Sequence, residues 1–174
     1  MSTVHFKRIS NVALLTLDHD PVNGLGLALR KALMQAFRKA CEDPKVSSIV
    51  LIGQGRMFSA GADISEFGKV QSQTPPLLPE VINSIENSKK PVIAAIHGNA
   101  LGGGLELALG CSYRIATSNA NLGLPEVTLG IIPGAGGTQR LPRIIGIPAA
   151  LDMITTGKQI TAIKAKKLGL VDAI

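Results

Sequence analysis

The fold class is decided by residues 91–116, which read PVIAAIHGNALGGGLELALGCSYRIA. The run PVIAAI is apolar throughout and partly β-branched, which is typical of a strand buried on both faces. Three glycines at positions 102–104 then open a segment that predicts a helix to about Gly110, and YRIA predicts another short strand. Strand, helix and strand follow one another, which predicts an α/β chain whose strands are covered by helices.

The segments before this stretch add two strands, a helix and a further buried strand. Residues 4–9 and 12–17 predict an N-terminal hairpin joined by a short turn. Residues 27–41 carry apolar side chains at helical spacing, with Arg30 among the basic residues on the opposite, solvent-facing side. Residues 47–53 read SSIVLIG, a continuous β-branched run that again predicts a strand buried on both faces.

The segments around and after it alternate helices with a loop-rich passage. Residues 79–88 predict a helix, and residues 124–137 predict a loop-rich segment because they contain two prolines and four glycines. Amphipathic helices are predicted at about residues 147–156 and 161–168. No linker, low-complexity segment or short repeat divides the sequence, so we predict one α/β domain over residues 1–174.

Composition excludes several protein classes. The sequence has 174 residues, of which 45% are hydrophobic and 17% charged, and no apolar run approaches the roughly 18 residues of a membrane span. A soluble globular protein without a secretory signal is therefore expected. The two cysteines, Cys41 and Cys111, are predicted to be buried free thiols in a reducing compartment.

The net charge of +6 raises the question of an anionic partner. The basic residues occur as scattered pairs, and four Phe and one Tyr offer little surface for stacking bases. Nucleic-acid binding is therefore not expected, whereas a small molecule that carries phosphate is compatible with the charge.

The glycine triplet and Glu106 predict a polar site within an apolar segment. Glycines at the start of a helix let a ligand approach exposed N–H groups, and these donors favour an anion or a developing oxyanion. Glu106 follows Gly103 by nearly one helical turn, so both face the same side. The alternative is that the glycines serve close helix packing and that Glu106 caps the first turn or reaches solvent.

Two further segments offer complementary groups. The small residues of SAGADIS, residues 59–65, could supply the second donor of an oxyanion hole, or they could form an ordinary turn in which Asp63 caps a helix. Glu126 follows Pro125 in GLPEVTLG and could pair with Glu106 as an acid and a base, although surface carboxylates are common.

Other constellations are weaker. GQGRMF imitates a dinucleotide-binding loop, but Phe58 stands at the third glycine position. The three histidines lack the spacing of metal ligands, so no metal site is predicted. Ser59, Ser112 and His97 could form a nucleophile and its base, but no nucleophile-elbow sequence supports a serine peptidase.

Three motifs, GRMFSAGADI, KPVIAAIHGNALGGGLELALGCSYRIA and LGLPEVTLGIIPGAGGTQRLPR, resemble the enoyl-CoA hydratase/isomerase (crotonase) family in their order and spacing. The sequences of the second and third motifs are most similar to the N-terminal hydratase/isomerase part of multifunctional fatty-acid β-oxidation enzymes. The resemblance extends from Pro21 to Ile174 and implies the ββα superhelix of that family. Family members continue with C-terminal helices, so the resemblance implies that this sequence lacks that part of the fold.

The resemblance also implies roles for individual residues. Glu106 and Glu126 correspond to the two catalytic glutamates, and the backbone N–H groups of Ala62 and Gly103 to the oxyanion hole. The residues that the resemblance assigns to coenzyme A are Ala60, Asp63 and Ile64 for the adenine, and Val22, Gly24 and Leu25 for the pantetheine arm. No metal or other cofactor is implied, because acyl-CoA is the substrate.

The implied reaction is hydration of a 2-trans-enoyl-CoA to a 3-hydroxyacyl-CoA in β-oxidation, and the same glutamates could move a 3-enoyl double bond to position 2. Alternatives are another crotonase chemistry, such as an isomerase, hydrolase or dehalogenase, and a non-catalytic RNA-binding or inactive truncated relative. Members of this family are often homotrimers or multidomain monomers. A bacterial cytoplasm and a peroxisome are both compatible with the sequence.

Overall fold

The computed structural model describes residues 2–174. The strands are β1 (Thr3–Ile9), β2 (Val12–Asp18), β3 (Ser48–Gly53), β4 (Val92–Ile96), β5 (Asn99–Leu101), β6 (Tyr113–Ala116), β7 (Asn121–Gly123) and β8 (Ile160–Thr161). The helices are α1 (Leu27–Glu42), α2 (Leu78–Glu86), α3 (Gly103–Leu109), α4 (Gly137–Ile145), α5 (Ile147–Thr156) and α6 (Ala162–Lys167). The predicted α/β class, hairpin and helix α1 are confirmed.

Two sheets organise the chain. The larger sheet has the order β1-β2-β3-β4-β6, in which β1 pairs antiparallel with β2 and the other pairs are parallel. The smaller sheet has the order β5-β7-β8, with β5 and β7 parallel. Ser59 extends the smaller sheet by a parallel bridge to Ala100.

The chain alternates regularly between these sheets. After β4 in the larger sheet it enters β5 in the smaller one and then forms α3, and after β6 it enters β7 and a 3₁₀ turn, Pro125–Leu129. Each repeat is thus a strand, a second strand and a helical segment, as the resemblance implies. The short second strands escaped the sequence prediction, because two or three residues show no periodicity.

The predicted burial of β3 on both faces is only half right. Ile49 and Leu51 are at most 1% exposed, whereas Val50 and Ile52 on the other face are only half-buried. Ile52 lines a surface cavity of about 310 Å³ that opens beside Ile115. One face of β3 therefore belongs to the core, and the other borders a recess in the surface.

Helix α1 shows one correction to the sequence prediction. Its apolar stripe is buried as expected and includes Leu29, Leu33 and Phe37, each of which contributes roughly 2–3 kcal/mol through burial. Arg30, predicted on the solvent side, is only 5% exposed. Its guanidinium donates to backbone carbonyls of a loop more than 40 residues away, so burial is accompanied by hydrogen bonds.

Helix α4 was not predicted. It follows the glycine-rich passage directly and contains Pro142, two features that favour a loop in a single sequence. The structure shows packing of α4 against α3 and α5, and Arg140 forms an ion pair with Glu86 of α2. These tertiary contacts outweigh the weak helix propensity of the segment.

Two further findings concern the described residues as a whole. Within residues 2–174, no helix is long and apolar enough to cross a membrane. Both cysteines are free thiols, and Cys111 is buried as predicted, whereas Cys41 is only half-buried. Burial raises the pKa of the Cys111 thiol to about 12.

Candidate active site

A cavity of about 320 Å³ lies among the loop at residues 60–67, the starts of α2 and α3, and the segment at residues 125–135. Most of the sequence-predicted site residues line it, namely Leu25, Ala60, Ala62, Asp63, Ile64, Gly103, Glu106 and Glu126. Val22 and Gly24 do not line this cavity. The remaining wall is largely apolar and includes Leu77, Leu78, Leu129 and Ile131.

Glu106 projects from α3 and is only 2% exposed. Its Oε1 atom accepts hydrogen bonds from the backbone N–H groups of Ala135 and Gly137, each at 2.8 Å. Burial raises the pKa of the Glu106 carboxyl above its ordinary value of 4.5, while these two donors and the charge of Arg140 act in the opposite direction. The two hydrogen bonds therefore fix the carboxylate in position, and together with Arg140 they partly offset the cost of burying its charge.

Glu126 lies in the 3₁₀ turn Pro125–Leu129 and is 8% exposed. Its Oε2 atom is buried and has no hydrogen-bond partner within residues 2–174. Burial raises the pKa of Glu126 to about 7, and the nearby charge of Glu106 acts in the same direction. Near neutral pH this carboxyl group exchanges its proton readily, which is the property of a general acid or base.

The backbone N–H groups of Ala62 and Gly103 are neighbours. A Cβ atom built on Gly103 would lie 3.3 Å from the Ala62 nitrogen, and one built on Gly61 would lie 3.0 Å from the Gly103 nitrogen. Neither N–H donates to an acceptor in the part of the chain that the structure describes. The loop between β3 and the first 3₁₀ turn thus brings one donor beside another at the start of α3.

The segment before α1 braces this loop from behind. The Ala60 N–H donates to the Val22 carbonyl at 2.9 Å, and the Leu25 N–H donates to the Gly61 carbonyl at 2.8 Å. A Cβ atom on Gly24 would lie 3.7 Å from Asp63. Val22 and Gly24 therefore lie beside the loop outside the cavity, and Leu25 both braces the loop and lines the cavity.

Asp63 forms the cap that the alternative interpretation expects. Its Oδ1 atom accepts the Ser65 N–H at 2.9 Å at the start of the 3₁₀ turn Ile64–Glu66. Asp63 also lines the cavity, so the same residue caps the 3₁₀ turn and lies at the site.

Sequence reasoning missed Asn23 as a residue that supports the loop. Asn23 is 2% exposed and has a positive φ of 52°. Its side-chain nitrogen donates to the carbonyls of Gln54, Met57 and Phe58, and its own carbonyl accepts the Ser59 hydroxyl. The dipeptide Asn23-Gly24 is a turn signal in the sequence, but nothing local indicates these distant partners.

Arg30 and Glu66 were also missed, although both line the cavity. The Glu66 carboxylate accepts the Leu27 N–H at the start of α1 at 2.9 and 3.0 Å and lies 3.4 Å from the Arg30 guanidinium. Arg30 also donates to the carbonyls of Gln71 and Pro76, each at 2.9 Å. These contacts tie α1 to the loop that forms one cavity wall.

The serine and histidine constellation is not assembled. The Ser59 hydroxyl donates to the Asn23 carbonyl, the Ser112 hydroxyl accepts the Val92 N–H, and His97 is paired with the Gly55 carbonyl. No group of three or more His, Cys, Asp or Glu side chains within residues 2–174 is arranged to hold a metal ion.

Comparison with known proteins agrees with this fold. Residues 7–174 match the family model described as Enoyl-CoA hydratase/isomerase. The match extends over nearly the whole sequence, so the chain belongs to the enoyl-CoA hydratase/isomerase family, and its crotonase-like α/β fold is established.

Individual relatives refine this placement. The chain is 56% identical over 165 residues to the peroxisomal bifunctional enzyme of Danio rerio, an alignment that covers 94% of this chain and 23% of that protein. It is 48% identical over 165 residues to a probable enoyl-CoA hydratase of Bacillus subtilis, with 92% of this chain and 64% of that protein covered. The chain thus spans about a quarter of the length of its multifunctional relatives.

A solved structure gives the same result for the backbone. The enoyl-CoA hydratase from Bacillus anthracis superposes with a TM-score of 0.92 at 40% sequence identity. The superposition covers 98% of this chain and 69% of that one. The ββα backbone arrangement is therefore shared with that enoyl-CoA hydratase.

Proposed function

We propose that the protein adds water to a 2-trans-enoyl-CoA and forms a 3-hydroxyacyl-CoA. The observation that carries the proposal is the pair of buried carboxyl groups on one cavity, Glu106 and Glu126, whose hydrogen-bonding environments differ. Two carboxyl groups with separated proton affinities can act as a base and an acid in the same step. The names of relatives that include enoyl-CoA hydratase support the same reaction.

The two unpaired backbone donors suit the charge that develops in this reaction. As water attacks, negative charge accumulates on the thioester oxygen, and the N–H groups of Ala62 and Gly103 would each donate to it. Preorganised donors of this kind lower the barrier by about 3 kcal/mol each, because they point at the charge without reorganising.

The proton transfers follow from the environments of the two glutamates. Glu106, held by two N–H donors, acts as the base and removes a proton from water while the water oxygen bonds to C3. The π electrons of the C2–C3 bond move to C2 and the thioester oxygen, and Glu126, with a pKa of about 7, delivers a proton to C2. Glu106 then loses its proton to solvent and Glu126 regains one.

The same pair can isomerise a 3-enoyl-CoA, and we propose this as a secondary activity. One glutamate removes a proton from C2, the double bond shifts from C3–C4 to C2–C3, and a proton returns at C4. The charge again develops on the thioester oxygen, so the same donors serve both reactions. Both reactions balance with acyl-CoA, water and protons alone, and the proposal includes no cofactor.

The setting of the activity is proposed from the relatives. The relatives from Danio rerio and Homo sapiens are named peroxisomal bifunctional enzymes. The relative from Bacillus subtilis is a bacterial protein named as a probable enoyl-CoA hydratase. We propose that the chain provides the hydratase part of fatty-acid β-oxidation in a protein of either kind. The apolar residues that line the cavity beside the two glutamates suit an acyl chain.

The test is the rate of crotonyl-CoA hydration by the full chain, followed by loss of the ultraviolet absorbance of the enoyl thioester. Glu106→Gln and Glu126→Gln are each expected to lower kcat at least about 100-fold. Glu42→Gln, the same change at an exposed carboxylate at the end of α1, is the control and should retain full activity. An inactive wild-type protein would overturn the function, and near-normal kcat in either active-site variant would overturn the role of that glutamate.

A further inference from the structure

Arg140 connects α4 to α2 through a bidentate ion pair. Its Nε atom donates to Glu86 Oε1 at 3.1 Å, and its Nη2 atom donates to Glu86 Oε2 at 2.6 Å and to Asn83 Oδ1 at 2.8 Å. The arginine side chain is 14% exposed, and its proximity lowers the pKa of Glu86. A planar guanidinium that donates several hydrogen bonds at once has little freedom to move.

The remaining donor of Arg140 reaches the turn that holds Glu106. Its Nη1 atom donates to the Ala135 carbonyl at 3.1 Å, while the N–H of Ala135 donates to Glu106 Oε1. Gly136 follows with a φ of 101°, and a side chain at this position would overlap Arg140 Nη1. The turn therefore requires glycine where the guanidinium passes, and the next residue, Gly137, gives the second donor to Glu106.

We propose that Arg140 is a positioning residue for Glu106, acting through the turn at residues 135–137. Arg140 does not touch Glu106, but it fixes the carbonyl of the residue whose N–H binds the carboxylate. This inference rests on the proposed function, because it names the device that keeps the proposed base aligned with substrate.

The hydrogen bonds of Arg140 also relate Glu106 to the cavity wall that α2 forms. Helix α2, which carries Glu86 and Asn83, begins with Leu78, and Leu78 Cδ2 would lie 2.7 Å from a Cβ atom on Gly103. One set of hydrogen bonds thus orients the turn behind Glu106 relative to the helix that packs against the proposed oxyanion hole. If Arg140 only joined the two helices, it would not also donate to the Ala135 carbonyl.

The charged groups around Glu106 define how its titration should respond. Glu126 is the neighbouring carboxyl group, and Arg140 is the nearby cation, whereas Arg143 influences Glu86 from the following turn of α4. Loss of Arg140 removes a favourable charge and loosens two N–H donors. Both effects stabilise the protonated form of Glu106, so its titration should move to higher pH.

The test compares Arg140→Gln and Arg140→Lys with Arg143→Gln, a matched loss of charge on the exposed side of α4. The amide resonances of Ala135 and Gly137 are followed by NMR over pH, since they report the ionisation of Glu106 directly. For Arg140→Gln we expect a midpoint at least about 0.5 pH units higher, about tenfold lower kcat for crotonyl-CoA, and a KM changed by less than about threefold.

Arg140→Lys separates charge from geometry, because a lysine keeps the charge but cannot hold Glu86 and the Ala135 carbonyl together. Its kcat should lie between those of the wild type and Arg140→Gln, with a smaller shift of the amide midpoints. Full kcat in Arg140→Lys, or an Arg140→Gln variant that matches Arg143→Gln, would overturn the proposal. If Arg140→Gln does not fold, Arg140→Lys and the amide titration decide.

Failure of the proposed function would look different. A wild-type protein that does not hydrate crotonyl-CoA would refute the reaction, while the amide titrations would still show whether Arg140 holds the turn on Glu106. Unchanged amide midpoints in an active Arg140→Gln variant with normal kcat would refute the role of Arg140 alone.

Discussion

Glu106 and Glu126 line the same cavity, but Glu106 Oε1 accepts two backbone N–H groups at 2.8 Å each, while the buried Oε2 atom of Glu126 has no partner within residues 2–174. Hydrogen bonds to a carboxylate favour its charged form, and burial without them favours the neutral form. The two carboxyl groups therefore differ in proton affinity, and Glu126 binds its proton more tightly than Glu106. This asymmetry makes stability, as well as catalysis, depend on pH.

Stability should fall as pH rises through the range in which Glu126 is protonated only in the folded protein. The pKa of Glu126 is raised from 4.5 to about 7, so between these values the folded chain binds more protons than the unfolded chain. The free energy of unfolding should therefore decrease from pH 4.5 to pH 7 through this group. Urea unfolding at several pH values measures the slope.

Glu126→Gln removes this titration, so its stability relative to the wild type should improve steadily over the same interval. Glu42→Gln, which changes an exposed carboxylate, serves as the control and should follow the wild-type slope. A difference between Glu126→Gln and the wild type that stays constant from pH 4.5 to 7 would contradict the raised pKa.

A methyl group at Gly103 should damage the proposed oxyanion hole more than the fold. In Gly103→Ala the new Cβ atom would lie 3.3 Å from the Ala62 nitrogen and 2.7 Å from the movable end of Leu78. Leu78 can shift, but the backbone donor beside it becomes crowded, so we expect kcat to fall about 10- to 100-fold with a smaller change in KM. Steady-state kinetics with crotonyl-CoA provide the measurement.

Gly134→Ala is the matched control for that substitution, because it adds a methyl group to the same cavity wall at a position where the Cβ would meet nothing closer than 3.9 Å. It should keep kcat within about threefold of the wild type. A double variant, Gly103→Ala with Leu78→Ala, separates the two contacts. Full recovery of kcat in the double variant would show that pressure on Leu78, and not crowding of the donor at Ala62, causes the loss.

Much of the architecture could be predicted because its determinants are local. The β-branched runs of β3 and β4, the helical spacing of α1 and the glycines before α3 each act within one element. The position of Glu106 on α3 follows from the same local pattern. Its hydrogen-bond partners at residues 135 and 137 could not be predicted, because the fold alone brings them across a separation of about 30 residues.

Arg30 illustrates the same limit for a charge. Its place on the polar side of an amphipathic helix predicts exposure, but the loop at residues 66–76 folds over it and supplies carbonyl acceptors. Periodicity identifies which side of α1 faces the core, and it contains no information about a distant loop that covers the other side. A buried arginine with this many acceptors is expected to order that loop.

Removal of Arg30 should therefore loosen this cavity wall selectively. In Arg30→Gln the carbonyls of Leu25, Gln71 and Pro76 lose their donor, which should lower the free energy of unfolding by about 2–4 kcal/mol. Hydrogen exchange should accelerate first in residues 66–76. Lys31→Gln, one position along α1 and exposed, should alter neither property. Equal exchange in the two variants would contradict a role for Arg30 in holding the loop.

Asn23 is a second buried polar residue near the site whose removal should destabilise the fold. Its buried side-chain nitrogen donates to the carbonyls of Gln54, Met57 and Phe58 at 2.9, 2.8 and 3.2 Å. Asn23→Ala leaves these acceptors without their donor, so we expect a loss of about 2–4 kcal/mol in the free energy of unfolding, measured in urea.

Backbone conformation adds a second, separable contribution at the same position. Asn23 has a φ of 52°, a left-handed conformation that costs alanine about 1 kcal/mol and glycine very little. Asn23→Gly should therefore be more stable than Asn23→Ala by roughly that amount, while both lose the hydrogen bonds. Since the Asn23 carbonyl also accepts the Ser59 hydroxyl beside the loop that carries Ala62, both variants should lower kcat as well. An Asn23→Gly variant with wild-type stability would show that the side chain contributes nothing, and that backbone conformation alone selects this residue.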